Sequence, residues 1–274
     1  LWFCLSSIKN NRSNKFYFLG AGFAASFMLL LKAPVIIPAL IASLLPLIWE
    51  YKLKNYLNNL SWFWFFYGLI PGFAWHIWNL FSYGSGAFWL WFGDGAGRVL
   101  LEKGQGSELG VLIPIIEIFE GGWPWILVWP IGLLWALLSL NTRWGLWAFT
   151  TQIVIVGSVL PLKTQLPWYI HPFWLPFALL CGPPVSWLIN RKENNHVHLR
   201  YILSKIPFIL SFVGLCLLIF SLLGKLNFLT MPKGYFNIIF FISIGWCFGG
   251  FFLTFSREKR RIFGFIGIIL GSLI

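Results

Sequence analysis

Apolar runs long enough to cross a membrane fill most of this chain, and no other feature limits its possible folds so strongly. A hydrocarbon core about 30 Å thick requires about 20 apolar residues in a helix. Lipid offers no partner for unpaired backbone groups, so runs of this length and order predict helices. We expect an all-α, polytopic transmembrane helical bundle of about eight or nine spans, in one domain covering residues 1–274. The runs lie at about 16–31, 33–49, 60–81, 120–140, 144–160, 167–189, 201–223 and 235–255, with a truncated one from 262.

The composition supports a membrane protein and argues against the common classes of soluble enzyme. Apolar residues make up 58% of the chain and charged residues only 10%, whereas charged residues are roughly a quarter of a typical soluble domain. The sequence contains no Ser-His-Asp set, no glycine-rich nucleotide loop and no zinc-ligand spacing. We therefore look for function among the polar residues that connect the spans.

Basic residues are distributed unequally between the two sides of the predicted membrane. Alternating spans place 14 of the 20 basic residues on one side, which the positive-inside rule identifies as cytoplasmic. The positive-inside rule accounts for most of the basic residues behind the net charge of +12, so we expect no nucleic-acid partner. The 14 residues are Lys9, Arg12, Lys15, Lys52, Lys54, Arg143, Arg191, Lys192, Arg200, Lys205, Arg257, Lys259, Arg260 and Arg261.

Acidic residues concentrate on the opposite side. Five of the eight, namely Asp94, Glu102, Glu108, Glu117 and Glu120, fall within one 27-residue stretch. Carboxylates are costly near lipid, so this stretch must face water, protein or a polar ligand. It belongs to a glycine-rich segment at about 82–119, which we expect to be an amphipathic segment at the outer face. We predict that the working face of the protein lies there.

Three outer segments each carry a cation close to a span end. Lys32 lies between the first two spans, Arg98 lies in the glycine-rich segment, and Lys163 precedes a span together with Tyr169 and His171. Three cations at one membrane level would suit a phosphate that is carried on a lipid.

These three segments, in this order, resemble motifs of the membrane glycosyltransferases related to the protein O-mannosyltransferases and to the aminoarabinose transferases that modify lipid A, which have the GT-C fold. Leu31-Lys32-Ala33-Pro34 resembles the family's Thr-Lys-Gly-Pro-like turn. Asp94-Gly95-Ala96-Gly97-Arg98-Val99 resembles its Glu-x-x-x-Arg-Phe pattern. The most specific match is to Lys-x-x-Leu-Pro-x-Tyr-Ile, at Lys163, Leu166, Pro167, Tyr169 and Ile170.

The resemblance implies transfer of a sugar from a polyprenyl-phosphate donor to a hydroxyl of an acceptor lipid, glycan or protein. It implies a multi-pass protein of the plasma (inner) membrane, active outside the cytoplasm, in cell-wall or lipid glycosylation. The donor phosphate would be held by Lys32, Arg98, Lys163 and Tyr169, and the candidate cleft residues are Asp94, Glu117 and His171.

The family's catalytic carboxylate lies on its first outer loop. We therefore expect the base upstream of Leu1 and the chain to be an N-terminally truncated fragment. A histidine that often follows the family's acidic residue is replaced by Gly95, so we predict no metal ligand at that point, and a divalent cation as cofactor stays open.

Simpler interpretations of the same residues remain open. A lysine at a helix end often extends its amine to the interface without binding a substrate, which would account for Lys32 and Lys163. Arg98 has acidic neighbours at helical spacing, and Tyr169 is typical of an interfacial aromatic belt. Glu117 would be favourable at a helix start, and His171 lies beside a proline at a span entry.

Two other functional classes remain. A transporter or flippase for a lipid-linked or anionic substrate also has charged residues at the ends of interrupted helices. Transporters of this kind contain an inverted repeat, which this sequence lacks. The polar residues here also lie at the outer ends of the predicted spans and not in their middle. A non-catalytic membrane subunit is the third class.

Overall fold

The structure, a computed structural model, describes residues 15–32, 36–57, 61–91, 97, 100, 104, 106–191, 197–226 and 233–273. Every regular element among these residues is a helix. The described residues form two compact units: one lies within 1–116 and 149–174, the other within 117–148 and 175–274.

Among the described residues, three helical stretches are long and apolar enough to cross a membrane, at Pro167–Asn190, Val197–Lys225 and Gly234–Leu253. A fourth is added if Leu112–Gly122 and Trp125–Leu138 count as one broken span. These stretches indicate a helical membrane protein. Helices do occupy the predicted apolar runs, but the remaining ones are shorter or less apolar, so the expected eight or nine spans are not confirmed.

The first unit contains four complete helices and parts of the later chain. They are α1 at Lys15–Lys32, α2 at Ile36–Leu57, α3 at Ser61–Tyr83 and α4 at Ser85–Trp91. The unit also includes the described residues up to 116, residues 149–159 of α7 (Arg143–Val159), the turn at 160–166 and a 3-10 helix at Pro167–Phe173.

Small residues allow α1 and α3 to pack closely. A Cβ at Gly22 would collide with the carbonyl of Phe65, and one at Gly72 would lie 2.8 Å from Ser26 Oγ. The Gly72 N–H donates to Ser26 Oγ at 2.6 Å, which suits membrane helices that associate through small residues and hydroxyl groups. His76 on α3 has Nε2 3.2 Å from the Leu29 carbonyl oxygen of α1.

The second unit begins within the helix α5 (Leu112–Gly122). The predicted span at 120–140 is not one continuous helix, because the chain bends by 108° between α5 and the segment Trp125–Leu138. Pro124 lacks a backbone N–H and follows two glycines, which explains a break at this point. After the 3-10 helix Trp125–Leu127, the helices are α6 at Trp129–Leu138, the start of α7, α8 at Trp174–Asn190, α9 at Val197–Lys225, α10 at Lys233–Leu253 and α11 at Glu258–Ser272.

Glycines also allow α9, α10 and α11 to pack closely. A Cβ at Gly250 would lie 2.6 Å from Ser211 Oγ, and one at Gly245 would lie 2.7 Å from Gly271 Cα. Hydroxyl groups add bonds across the same contacts: Ser221 Oγ donates to the Phe236 carbonyl at 2.7 Å. Lipid tails are as apolar as these side chains, so there is no hydrophobic driving force between helices in a membrane. Close packing and these hydrogen bonds therefore hold the three helices together.

Candidate functional site

The predicted Lys163 motif lies against the end of the acidic, glycine-rich segment, within the first unit. We call the described residues 104 and 106–111 the glycine loop, and residues 160–166 the Lys163 turn. The Gly104 N–H donates to Thr164 Oγ1 at 3.0 Å. Ser107 Oγ donates to the Gln165 carbonyl and accepts from the Gln165 N–H, both at 3.0 Å. These bonds join segments that are about 60 residues apart in sequence.

Gln165 anchors this contact from inside the protein. Only 1% of its surface is exposed, and the same is true of Ser107. Its Nε2 lies 2.9, 3.2 and 2.7 Å from the carbonyl oxygens of Val159, Leu160 and Leu162. Helix α7 ends at Val159, and the last carbonyls of a helix have no partner within it. The carboxamide therefore satisfies the end of α7 and fixes the Lys163 turn.

Glycines are required at several positions of the glycine loop. A Cβ at Gly104 would lie 2.9 Å from Thr164 Cγ2. Gly106 and Gly110 have φ angles of 81° and 54°, where side chains with a Cβ are disfavoured. The Gly106 N–H also donates to the Glu108 carboxylate at 3.2 Å. The loop is thus shaped by backbone geometry and by short polar bonds.

The Lys163 turn and the 3-10 helix after it carry exposed polar side chains, and buried apolar side chains of the same helix hold them in place. Ile170 and Phe173 are completely buried, and the Tyr169 N–H donates to the Leu166 carbonyl at 2.9 Å. Lys163 is exposed and makes no hydrogen bond or ion pair with another described residue. Tyr169 is half-buried and His171 is exposed. The amine of Lys163 is available to an anionic ligand.

The other predicted site residues lie outside the described residues or in the other unit. Asp94 and Arg98 lie outside the described residues, and so does the side chain of Lys32, the last residue of α1. Glu117 is half-buried on α5 and belongs to the second unit. Within the described part of the chain, no group of three or more His, Cys, Asp or Glu side chains could hold a metal ion.

Sequence reasoning did not identify Gly104, Ser107, Thr164 and Gln165 as parts of this site. The available signals were glycines that alternate with polar residues around Ser107, and a Thr-Gln pair directly after Lys163. Neither signal says which distant segment the polar groups contact.

Comparison of the chain with protein-family models, with curated proteins and with solved structures found no match. The resemblance to the glycosyltransferases therefore rests on the three motifs alone.

Proposed function

We propose that this chain is part of a membrane glycosyltransferase that moves a sugar from a polyprenyl-phosphate donor to an acceptor hydroxyl at the outer face of the plasma membrane. The observation that carries the proposal is the contact between the glycine loop and the Lys163 turn. The Lys163 turn is hydrogen-bonded there to the glycine-rich segment, although the Asp94 and Arg98 motif of that segment lies outside the described residues. Beside that contact stands an exposed lysine without a partner among the described residues.

The proposed chemistry is a displacement at the anomeric carbon. The acceptor oxygen bonds to that carbon while the bond from the carbon to the phosphate oxygen breaks, and the phosphate leaves with the electron pair. A carboxylate base takes the acceptor proton; by the resemblance it belongs to the family's first outer loop. Cations fixed where charge grows on the leaving phosphate lower the barrier, and Lys163 with Tyr169, joined by Lys32 and Arg98, are the groups proposed for this role.

In this proposal the chain crosses the membrane eight or nine times, with the shorter and less apolar helices as further spans. Lys163 is then outside, and the basic residues around Arg257 are in the cytoplasm. Single cysteines at positions 163 and 257 test this sidedness with a membrane-impermeant thiol reagent applied to intact cells. Labelling at 163 but not at 257 is expected, and the reverse pattern would contradict the topology.

Transfer of label from a radiolabelled polyprenyl-phosphate sugar, in membranes that contain the full-length protein, tests the function. We expect Lys163→Ala to lower the rate by about 10², at unchanged protein level, and Tyr169→Phe to lower it less. The matched control is Lys225→Ala, which removes another predicted outer cation, one whose Nζ lies 4.0 Å from the centre of the Phe240 ring.

Full activity of the Lys163→Ala protein would overturn the role of Lys163. Wild-type membranes that move the donor lipid across the bilayer without transferring its sugar would favour the flippase alternative.

A further inference from the structure

A second polar site lies in the second unit, where two helices end and a third begins. Arg261 is only 4% exposed. Its Nε donates to the carbonyl of Ile189, near the end of α8, and its Nη1 donates to the carbonyls of Phe255 and Ser256. Arg191, directly after α8, donates from Nη2 to the carbonyl of Leu253 at 3.3 Å, where α10 ends. We call Arg191, Arg257, Lys259, Arg260 and Arg261 the basic cluster.

Among the described residues, no carboxylate forms an ion pair with the buried or half-buried arginines of this cluster, Arg261 and Arg191. The nearby Glu258 is exposed. Burial, and secondly the charge of Arg261, lowers the pKa of Arg191. Carbonyls at helix ends offset part of the cost of two neighbouring guanidinium groups, but an anion would offset more of it.

The backbone at Arg191 is held in an unusual conformation. Its φ of 53° lies in the left-handed region, which residues other than glycine seldom adopt. The Arg191 N–H donates to the Trp187 carbonyl at 2.8 Å, and the guanidinium carbon lies 4.5 Å from the centre of the Trp187 ring. Arg191 makes one side-chain hydrogen bond to the described residues, so most of its N–H groups remain for a ligand.

The exposed members of the cluster lie next to an apolar groove. Arg257, Lys259 and Arg260 are exposed, and Arg260 lies 4.8 Å from the centre of the Phe255 ring. The Phe255 ring is 5.8 Å from that of Phe252, which lines a groove of about 320 Å³ along α10 and α11. Charged and apolar surfaces are therefore continuous from the helix ends along the two helices.

We propose that the basic cluster binds the phosphate headgroup of an anionic phospholipid, with an acyl chain of the same molecule in the groove between α10 and α11. By the positive-inside rule the cluster faces the cytoplasmic leaflet, where anionic lipids attract basic segments and basic pockets between helices hold phosphate headgroups. A soluble phosphate would use the arginines but not the groove. The inference does not depend on the glycosyltransferase proposal.

Spin-labelled lipids test this binding directly. The chain is reconstituted in phosphatidylcholine bilayers, and the immobilised fraction of chain-labelled phosphatidylglycerol is compared with that of labelled phosphatidylcholine by electron spin resonance. We expect the wild type to prefer phosphatidylglycerol. We expect Arg257→Gln/Arg260→Gln, which changes only exposed side chains, to reduce the preference on the order of fivefold.

The matched control is Arg200→Gln/Lys205→Gln, which removes the same charge at the start of α9, on the same predicted side of the membrane. An equal loss in this control would show a general surface potential and overturn the site. Equal immobilisation of both lipids by the wild type would also overturn it. So would a preference for phosphatidylglycerol that is unchanged in the Arg257→Gln/Arg260→Gln protein.

Discussion

The Lys163 turn and the basic cluster both lie at helix ends, but the side chains that bond to the helix-end carbonyls differ in charge. In both, carbonyls at the end of a helix need donors from outside that helix. At the end of α7 the donor is the neutral carboxamide of Gln165. At the ends of α8 and α10 the donors are the guanidinium groups of Arg261 and Arg191.

The difference decides which charges remain available. A neutral donor at the Lys163 turn leaves the amine of Lys163 exposed and outside the supporting network. At the basic cluster the supporting residues are themselves the charges, so the same arginines stabilise the fold and raise the local positive potential. A substitution of Lys163 should therefore affect ligand binding alone, whereas a substitution of Arg191 or Arg261 should affect both stability and ligand binding.

The largest effect on stability is expected for Arg261→Met. This change removes the donors of three partly buried hydrogen bonds to carbonyls, and hydrogen bonds from a charged donor contribute more than neutral ones. The free energy of unfolding should fall by about 3 kcal/mol, measured as a lower Tm of the purified protein in detergent. The control Arg260→Met removes an exposed guanidinium that stacks on Phe255 and should have a much smaller effect. An equal decrease in Tm in the two variants would contradict the different roles assigned to the buried and the exposed arginine.

A smaller effect is expected for Gln165→Leu. This change removes a neutral NH2 group, whose two N–H donors lie within reach of three carbonyl oxygens. It also removes a buried Oε1 that has no partner among the described residues. The destabilisation should therefore be about 1 kcal/mol. Because Gln165 also holds the Lys163 turn against Ser107, amide hydrogen exchange should become faster in the glycine loop. Unchanged exchange there would show that the loop is held by other contacts.

Gln152 in α7 provides a control for Gln165. It is also 1% exposed, yet neither its Nε2 nor its Oε1 has a hydrogen-bond partner among the described residues. Replacing an unpartnered buried amide by an apolar group removes a desolvation cost, so Gln152→Leu should leave the Tm unchanged or raise it. A loss of stability equal to that of Gln165→Leu would mean that both glutamines act only by their volume.

The helical segments could be predicted closely from the sequence. Predicted spans at 201–223 and 235–255 correspond to α9 (Val197–Lys225) and α10 (Lys233–Leu253). Length and apolarity determine these segments, because each is a local property of the chain. The break between α5 and α6 was not predicted, although Pro124 and the two glycines before it signal it, because the apolar run continues through them.

The candidate site could be predicted only in part. The exposed Lys163 followed from its motif, whereas the bonds between Ser107 and Gln165 did not, because these residues are 58 positions apart. Nor did the sequence separate the buried Arg261 from the exposed Arg260 beside it. Both lie in one basic run, and only the direction in which each points from the start of α11 distinguishes them.

By itself, the sequence determined that this chain is helical, where its apolar segments begin and end, and how its charge is divided between the connecting segments. These properties depend on the transfer free energy of each residue along the chain. The tertiary structure decided which polar groups meet: Gln165 reaches three carbonyls, while Gln152 on the preceding helix reaches none among the described residues. Two residues of the same type can have opposite roles because a hydrogen bond requires a partner within about 3 Å, and only folding brings distant segments that close.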